Sequence, residues 1–261
     1  MRLLCNSLKM KIPLKLIVSL CVLILVINSC KDEDPKPFKQ NVSLEIEHTW
    51  NDSILSFDST YVWEHDFKKD TISPTTLIYH INHLTLFTTD SLKITSNQTY
   101  YMVDFGSKAV LPENISFRTP TEGIKNYIFA MEFTIGVADS LTNAAGLLNS
   151  QFVAPMYWGL ISGYINFKFE AKTPKSTLLY HIGGYKLPYY NARKIKIVFN
   201  KPYYLSEQNT LTISSDILKL FNAVNVIDPE KISEIQEPNK DSQRMADNFS
   251  GIFSFKSFHK S

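Results

Sequence analysis

Apolar and polar side chains alternate over most of the chain. From Val42 the period is two: Val42, Leu44, Ile46, His48 and Trp50 share one face, and Ser43, Glu45, Glu47 and Thr49 share the other. Successive side chains of an extended chain point to opposite sides, so this is the pattern of a half-buried strand. TLIYHINHLTLF, YYMVDF, NYIFAMEFTIGV, GYINFKFEAK, LLYHIGGY, KIKIVFN, NTLTISS and GIFSFKSFHK predict further strands, separated by turn residues such as Pro112, Gly123 and Asn191. Tyr, Phe, Ile and Thr are enriched in them, as suits a pleated surface. Helix is scarce. DSLTNAAGLLNS predicts one or two turns. SSDILKLFNA, with Ser214 or Ser215 as N-cap, predicts a helix with Ile217, Leu218 and Phe221 on one face. DPEKISEI, with Pro229 in the first turn, and KDSQRMADNF predict two more. There is no internal repeat. So many short strands with local turns predict an all-β protein, a single and mostly antiparallel β-sandwich with a few short helices, over residues 41–261.

The chain ahead of the first strand reads differently. Lys11 and Lys15 precede an apolar run from Leu16 to Ile27, broken only by Ser19. The run is shorter than the ~20 residues of a membrane-spanning helix and has the length of a signal-peptide core. It ends in VINSC, which resembles a bacterial lipobox, in which the cysteine is acylated and becomes the mature N-terminus. The alternative is an ordinary cleaved signal that happens to hold a Cys. Residues 1–29 are thus expected to be a signal peptide and 30–40 a tether lipidated at Cys30. KDEDP directly after Cys30 is similar to the surface-export tag of some Gram-negative lipoproteins. The expectation is a protein anchored to a membrane of the cell envelope, an outer-membrane lipoprotein facing the periplasm or the surface. Without residues 1–29, which hold four of the 27 basic residues and no acid, the remainder has 23 basic and 25 acidic side chains and a net charge of −2. No basic patch is implied, and nucleic acid is not an expected partner. Cys30 is the one cysteine left. No disulfide and no thiolate metal ligand is available inside the domain, so a metal there would need His, Met, carboxylate or backbone ligands.

The chain carries no Gly-rich phosphate loop, no G-x-S-x-G elbow and no H-E-x-x-H. Acid pairs such as Asp139 or Glu170 with Asp104 are unspecific, and no catalytic residue is assigned. The informative residues are His48, His181 and His259, with Met156 and Trp158. His48 ends the apolar row of the first strand. His181 lies in LLYHIGGY, where Gly183 and Gly184 allow a sharp turn or a close approach. His259 shares parity with Phe253 and Phe255. The three would converge if each ends its strand at the same rim of the sandwich; the competing reading is three separately satisfied histidines. His65, His80 and His83 are weaker, since His80 and His83 fall on opposite sides of one strand. Imidazole with thioether is a borderline-to-soft ligand set, better suited to Cu(I) than to magnesium or calcium. Met156 and Trp158, two residues apart in MYWGLISGYINFKFE, share a face of an extended segment.

HTWNDSIL, YYMVDF, MEFTIGVADSLTNAAG, MYWGLISGYINFKFE and LLYHIGGY occur in that order. Over roughly residues 42–199 they resemble the MbnP-like copper-binding family. FTIGV, the M-[FY]-W followed by S-G-Y, and H-[IL]-G are the most specific pieces. The resemblance implies an exported β-sandwich that binds one copper, with a diheme peroxidase-like partner in some systems and, in some members, a Trp oxidised to kynurenine beside the metal. Trp158 takes that position here. His48 and His181 fall on family histidines and Met156 on the family Met. Two departures stand out: Leu160 replaces a second aromatic, and Asn143 stands where many members have a His.

The leading expectation is a lipid-anchored envelope protein that binds or delivers copper without catalysis. His48, His181 and Met156 would be ligands, His259 would complete the set, and Trp158 would lie nearby. The nitrogens of His48 and His181 would then lie within about 5 Å of each other, given metal–imidazole bonds near 2 Å. A carboxylate such as Asp104 or Glu170 would fix a ring tautomer. The alternative is a metal-free structural or accessory lipoprotein working with an outer-membrane transporter or a diheme peroxidase-like partner.

Overall fold

The computed structural model describes residues 41–66, 68–96, 100–106, 115–116, 127–137, 156–159 and 162–260. Cys30 and its flanks, the turn residues Pro112 and Gly123, the DSLTNAAGLLNS segment, Asn143 and Leu160 lie outside them. The strands are β1 (Asn41–Trp50), β2 (Ser53–Ile54), β3 (Tyr61–His65), β4 (Lys68–Thr88), β5 (Lys93–Thr95), β6 (Tyr100–Asp104), β7 (Ile115–Ser116) and β8 (Tyr127–Ile135). They continue with β9 (Tyr157–Gly159), β10 (Gly163–Lys172), β11 (Thr177–Gly183), β12 (Arg193–Tyr204), β13 (Gln208–Asp216), β14 (Glu234–Ile235) and β15 (Phe253–Lys260). The helices are α1 (Lys219–Asn222), α2 (Lys240–Asp247) and α3 (Phe249–Ile252).

Two sheets form a sandwich. The smaller runs β15-β13-β1-β2, with β7 also on β1. The larger runs β12-β8-β4-β10-β11-β14; β3, β5 and β6 also pair with β4, and β9 pairs with β10. β1–β13 and β11–β14 are parallel. The other pairings are antiparallel. Between β1 and β13 the chain builds all of the large sheet except β14, and such a long crossover is what a parallel pairing needs.

The core forms from one parity of each strand. Val42, Leu44, Ile46 and Trp50 of β1 join Leu77, Tyr79 and Ile81 of β4 and Phe167 and Phe169 of β10 in one buried cluster. α2 and α3 add Met245, Ala246, Phe249 and Ile252 to it. The Phe249 ring lies 4.9 Å from that of Phe167. α2 is the helix expected in KDSQRMADNF, and it starts on a reciprocal cap: the Asn239 side chain accepts from the Ser242 amide at 2.8 Å, and the Ser242 hydroxyl accepts from the Asn239 amide at 2.8 Å.

Two predicted helices turn out otherwise. In SSDILKLFNA the strand runs on through Asp216, because β13 is paired along both edges, to β1 and to β15. Only Lys219–Asn222 is helical, and no side chain caps it. In DPEKISEI the Asp228 carbonyl accepts from the amides of Lys231 and Ile232, which makes a turn. Glu234–Ile235 then adds to the sheet edge beside Leu179–Tyr180. The β3–β4 hairpin was not among the predicted elements. β4 also departs from regularity at Asn82–Thr85, where the register shifts and His83 has a φ of 53°.

Candidate functional site

The large sheet has a second face, turned away from the smaller sheet, and its chemistry differs from the core. On β4 and β6, Tyr79, Ile81, Tyr101 and Val103 belong to the core, so Ile78, His80, Met102 and Asp104 project from the other side. The register across the sheet builds rows on this outer face. Asp104, Ile78, Lys168 and His181 form one row across β6, β4, β10 and β11. Thr76, Glu170 and Leu179 form the next. On the other flank Met102 is paired with His80, and Ile165 with Gly183.

The segment holding Met156 and Trp158 covers part of this face. Met156 is fully buried in a small apolar cluster with Ile78 and Ile165, against which Met102 and Trp158 also pack. Trp158 lies over Gly183: a Cβ on that glycine would come within 2.5 Å of the indole Cζ3 and of the Tyr164 carbonyl oxygen. The close approach expected of the glycine pair is therefore made by Gly183 to an indole. Gly184 follows with a φ of +119°, a conformation that favours glycine. A third cluster, Val137 and Tyr164 with Tyr100 and Tyr157 against it, adjoins.

His181 projects on this outer face, two residues before Gly183, so its backbone is about 7 Å from the glycine under Trp158. Its Nε2 lies 2.7 Å from Glu170 Oε1. Glu170 also accepts from Thr76 Oγ1 at 2.8 Å and pairs with Lys168 Nζ at 3.2 Å. Burial pushes the Glu170 carboxyl upward, but the bonds from His181, Thr76 and Lys168 outweigh it and hold the group below the usual carboxylate range.

His48 lies elsewhere. It does continue the inward row of β1, as its parity predicts. Its Nε2 is 3.0 Å from the Tyr79 hydroxyl, inside the sandwich, and its ring contacts Phe105. Burial lowers its pKa to about 4, so the ring is neutral at pH 7. Tyr79 is an inner-face residue of β4 and His181 an outer-face residue of β11, so the large sheet stands between the two imidazoles. The expected approach of their nitrogens to about 5 Å does not occur. His259 is also apart. It pairs with Thr210 while His48 pairs with Ser215, an offset of five residues along β13 or about 16 Å, and it is exposed. His181 is separated from His48 by the face it takes on the large sheet, and His259 is separated from His48 by its register along β13.

The remaining histidines are also separate. His80 is fully buried on the outer face with both ring nitrogens near the Tyr100 hydroxyl, and burial lowers its pKa to about 3. His83 Nδ1 lies 2.6 Å from Asn82 Oδ1. His65 Nδ1 lies 3.2 Å from Asp66. Among the described residues no three His, Cys, Asp or Glu side chains gather into a metal cage. The predicted four-ligand set therefore does not fit one ion. The outer face offers an imidazole backed by a carboxylate, with an indole and thioethers on the same face. Lys168, Met102 and His80 were not among the predicted site residues. Glu170 was named, but nothing in the spacing placed it. Its parity, opposite to Phe167 and Phe169, was readable, whereas the β10–β11 register that brings it to His181 was not.

No curated protein matches the chain. Among solved structures, MbnP from Methylosinus trichosporium is similar at a TM-score of 0.48 and 11% identity, covering 72% of this chain and 79% of its own. The model of the MbnP family matches residues 39–238, most of the sandwich, and the chain belongs to the MbnP family.

Proposed function

We propose that this protein is a lipid-anchored envelope protein that binds copper on the outer face of its large sheet, without turning over a substrate. His181 is the imidazole ligand in this reading, Met156 supplies a thioether, and Trp158 borders the metal. Membership of a family linked to copper handling supports it. The observation that carries it is that His181, Trp158 and Met156 share one face of one sheet. Imidazole and thioether together favour a soft cation such as Cu(I) over hard cations. Cys30 is the proposed anchor and the outer membrane the proposed location. A diheme peroxidase-like protein is the proposed partner, with Trp158 at the family's oxidisable position.

A second reading, a metal-free accessory lipoprotein beside an outer-membrane transporter, has its own support. Lys168 Nζ lies 3.2 Å from the carboxylate that His181 uses, and a cation entering there meets that ammonium. Metal analysis separates the two. The full chain, purified in detergent without added copper and again after Cu(I) loading, is expected to hold about one copper after loading. Copper no higher than in a loaded control protein would sink the first reading in favour of the second.

A further inference from the structure

We propose that Glu170 is a positioning residue that locks His181 as the Nε2–H tautomer and so turns Nδ1 into the coordinating atom of the outer face. The identity of the ion rests on the copper reading above; the tautomer does not. An ionised carboxylate only accepts hydrogen bonds. Oε1 of Glu170 already accepts from the Lys168 ammonium and Oε2 from the Thr76 hydroxyl, so the 2.7 Å contact of Oε1 with the ring requires the proton to sit on His181 Nε2. In the neutral ring the lone pair is then on Nδ1. A ligand histidine oriented through its other nitrogen by a carboxylate is a recurring arrangement in metal proteins, and loss of the carboxylate costs about 10–100-fold in affinity.

Glu170 is itself held on several sides. Oε1 takes the contacts from His181 and Lys168, and Oε2 takes the Thr76 hydroxyl. Thr76 is the direct cross-strand partner of Glu170, and Lys168 is the direct partner of His181. Glu170 reaches His181 on the diagonal of the β10–β11 ladder, within range of long side chains. Three strands thus fix one carboxylate, and the carboxylate fixes one ring. Asp104, the other carboxylate considered from the sequence, sits three strands away from His181 in the same row, about 14 Å across three ladder spacings.

The test is nitrogen-detected NMR of His181 in the metal-free full chain in detergent micelles, at about pH 8, where an ordinary imidazole is neutral. The expected spectrum has a pyrrole-type signal for Nε2, a pyridine-type signal for Nδ1, and an Nε2-bound proton protected from exchange. In Glu170→Ala that protection should disappear and the ring should relax to a tautomer mixture. Glu170→Gln keeps an acceptor oxygen and should restore the protected proton. Cu(I) affinity should fall about 10–100-fold in Glu170→Ala and recover in part in Glu170→Gln. A proton on Nδ1 in the unaltered chain, or unchanged protection in Glu170→Ala, overturns the proposal. The expected tautomer in a chain that takes up no copper would refute the copper reading and leave this one standing.

Discussion

His48 and His80 are both neutral because of burial, on opposite sides of the same sheet. Their folded-state pKa values, about 4 and about 3, lie below the ordinary 6.5. Above pH 6.5 neither state binds these protons. As pH falls below 6.5 the unfolded chain protonates both rings and the native chain does not, so stability drops until the folded pKa values are reached. Each ring contributes about 1.4 kcal/mol per pH unit over that window. The urea midpoint is expected to fall clearly between pH 7 and pH 5. His48→Gln should lower it at pH 7 yet flatten the pH dependence by about half; an equal slope in the variant would show that His48 does not carry this linkage. At this scale the sequence was partly legible. The parity of β1 put His48 inside correctly, because two-residue periodicity is a local property. Its hydrogen bond to Tyr79, 31 positions away, depends on how the two sheets face each other and left no trace in the spacing.

β10, β11 and the short β9 make the outer face what it is. GYINFKFEAK, read as a strand from alternation, spans Gly163–Lys172 as predicted, and a helix forms at Lys240–Asp247 within the predicted KDSQRMADNF segment. SSDILKLFNA failed as a helix because two neighbouring strands claimed its first residues, a tertiary competition that local propensity does not record. The pairing of Met156 with Trp158 becomes intelligible at this scale as well. One seals the cluster over Ile78 and Ile165, and the other lies on Gly183. Gly183→Ala would drive a methyl into both the indole and a backbone oxygen. Overpacking of this kind costs about 1–3 kcal/mol. The variant should melt lower and show altered fluorescence of Trp158, whereas Trp50 and Trp63 are buried in the main core and should report no change. An unshifted melting temperature would mean that Trp158 is not seated on that glycine.

The described residues form a sandwich with an inner and an outer chemistry, and the large sheet is the partition between them. The fold class was legible because it follows from the count and period of the strands. The site was only half legible, because convergence depends on which face of which sheet each residue meets. His181 and Trp158 come together on one face; His48 lies on the other, and His259 lies on the small sheet. Anchoring belongs to this scale too. Cys30→Ala is expected to release the protein from the membrane fraction or block its processing, and unchanged membrane association and mass would contradict the lipid anchor. The central claim is that copper binds outside the sandwich rather than within it. It is tested most directly by Cu(I) competition titration of the full chain in detergent beside His181→Ala and His48→Ala. The account predicts that His181→Ala loses affinity by at least about tenfold, about 1.4 kcal/mol, while His48→Ala, if it remains folded, binds as the unaltered chain does. Loss of binding in a folded His48→Ala, with His181→Ala unaffected, would contradict it.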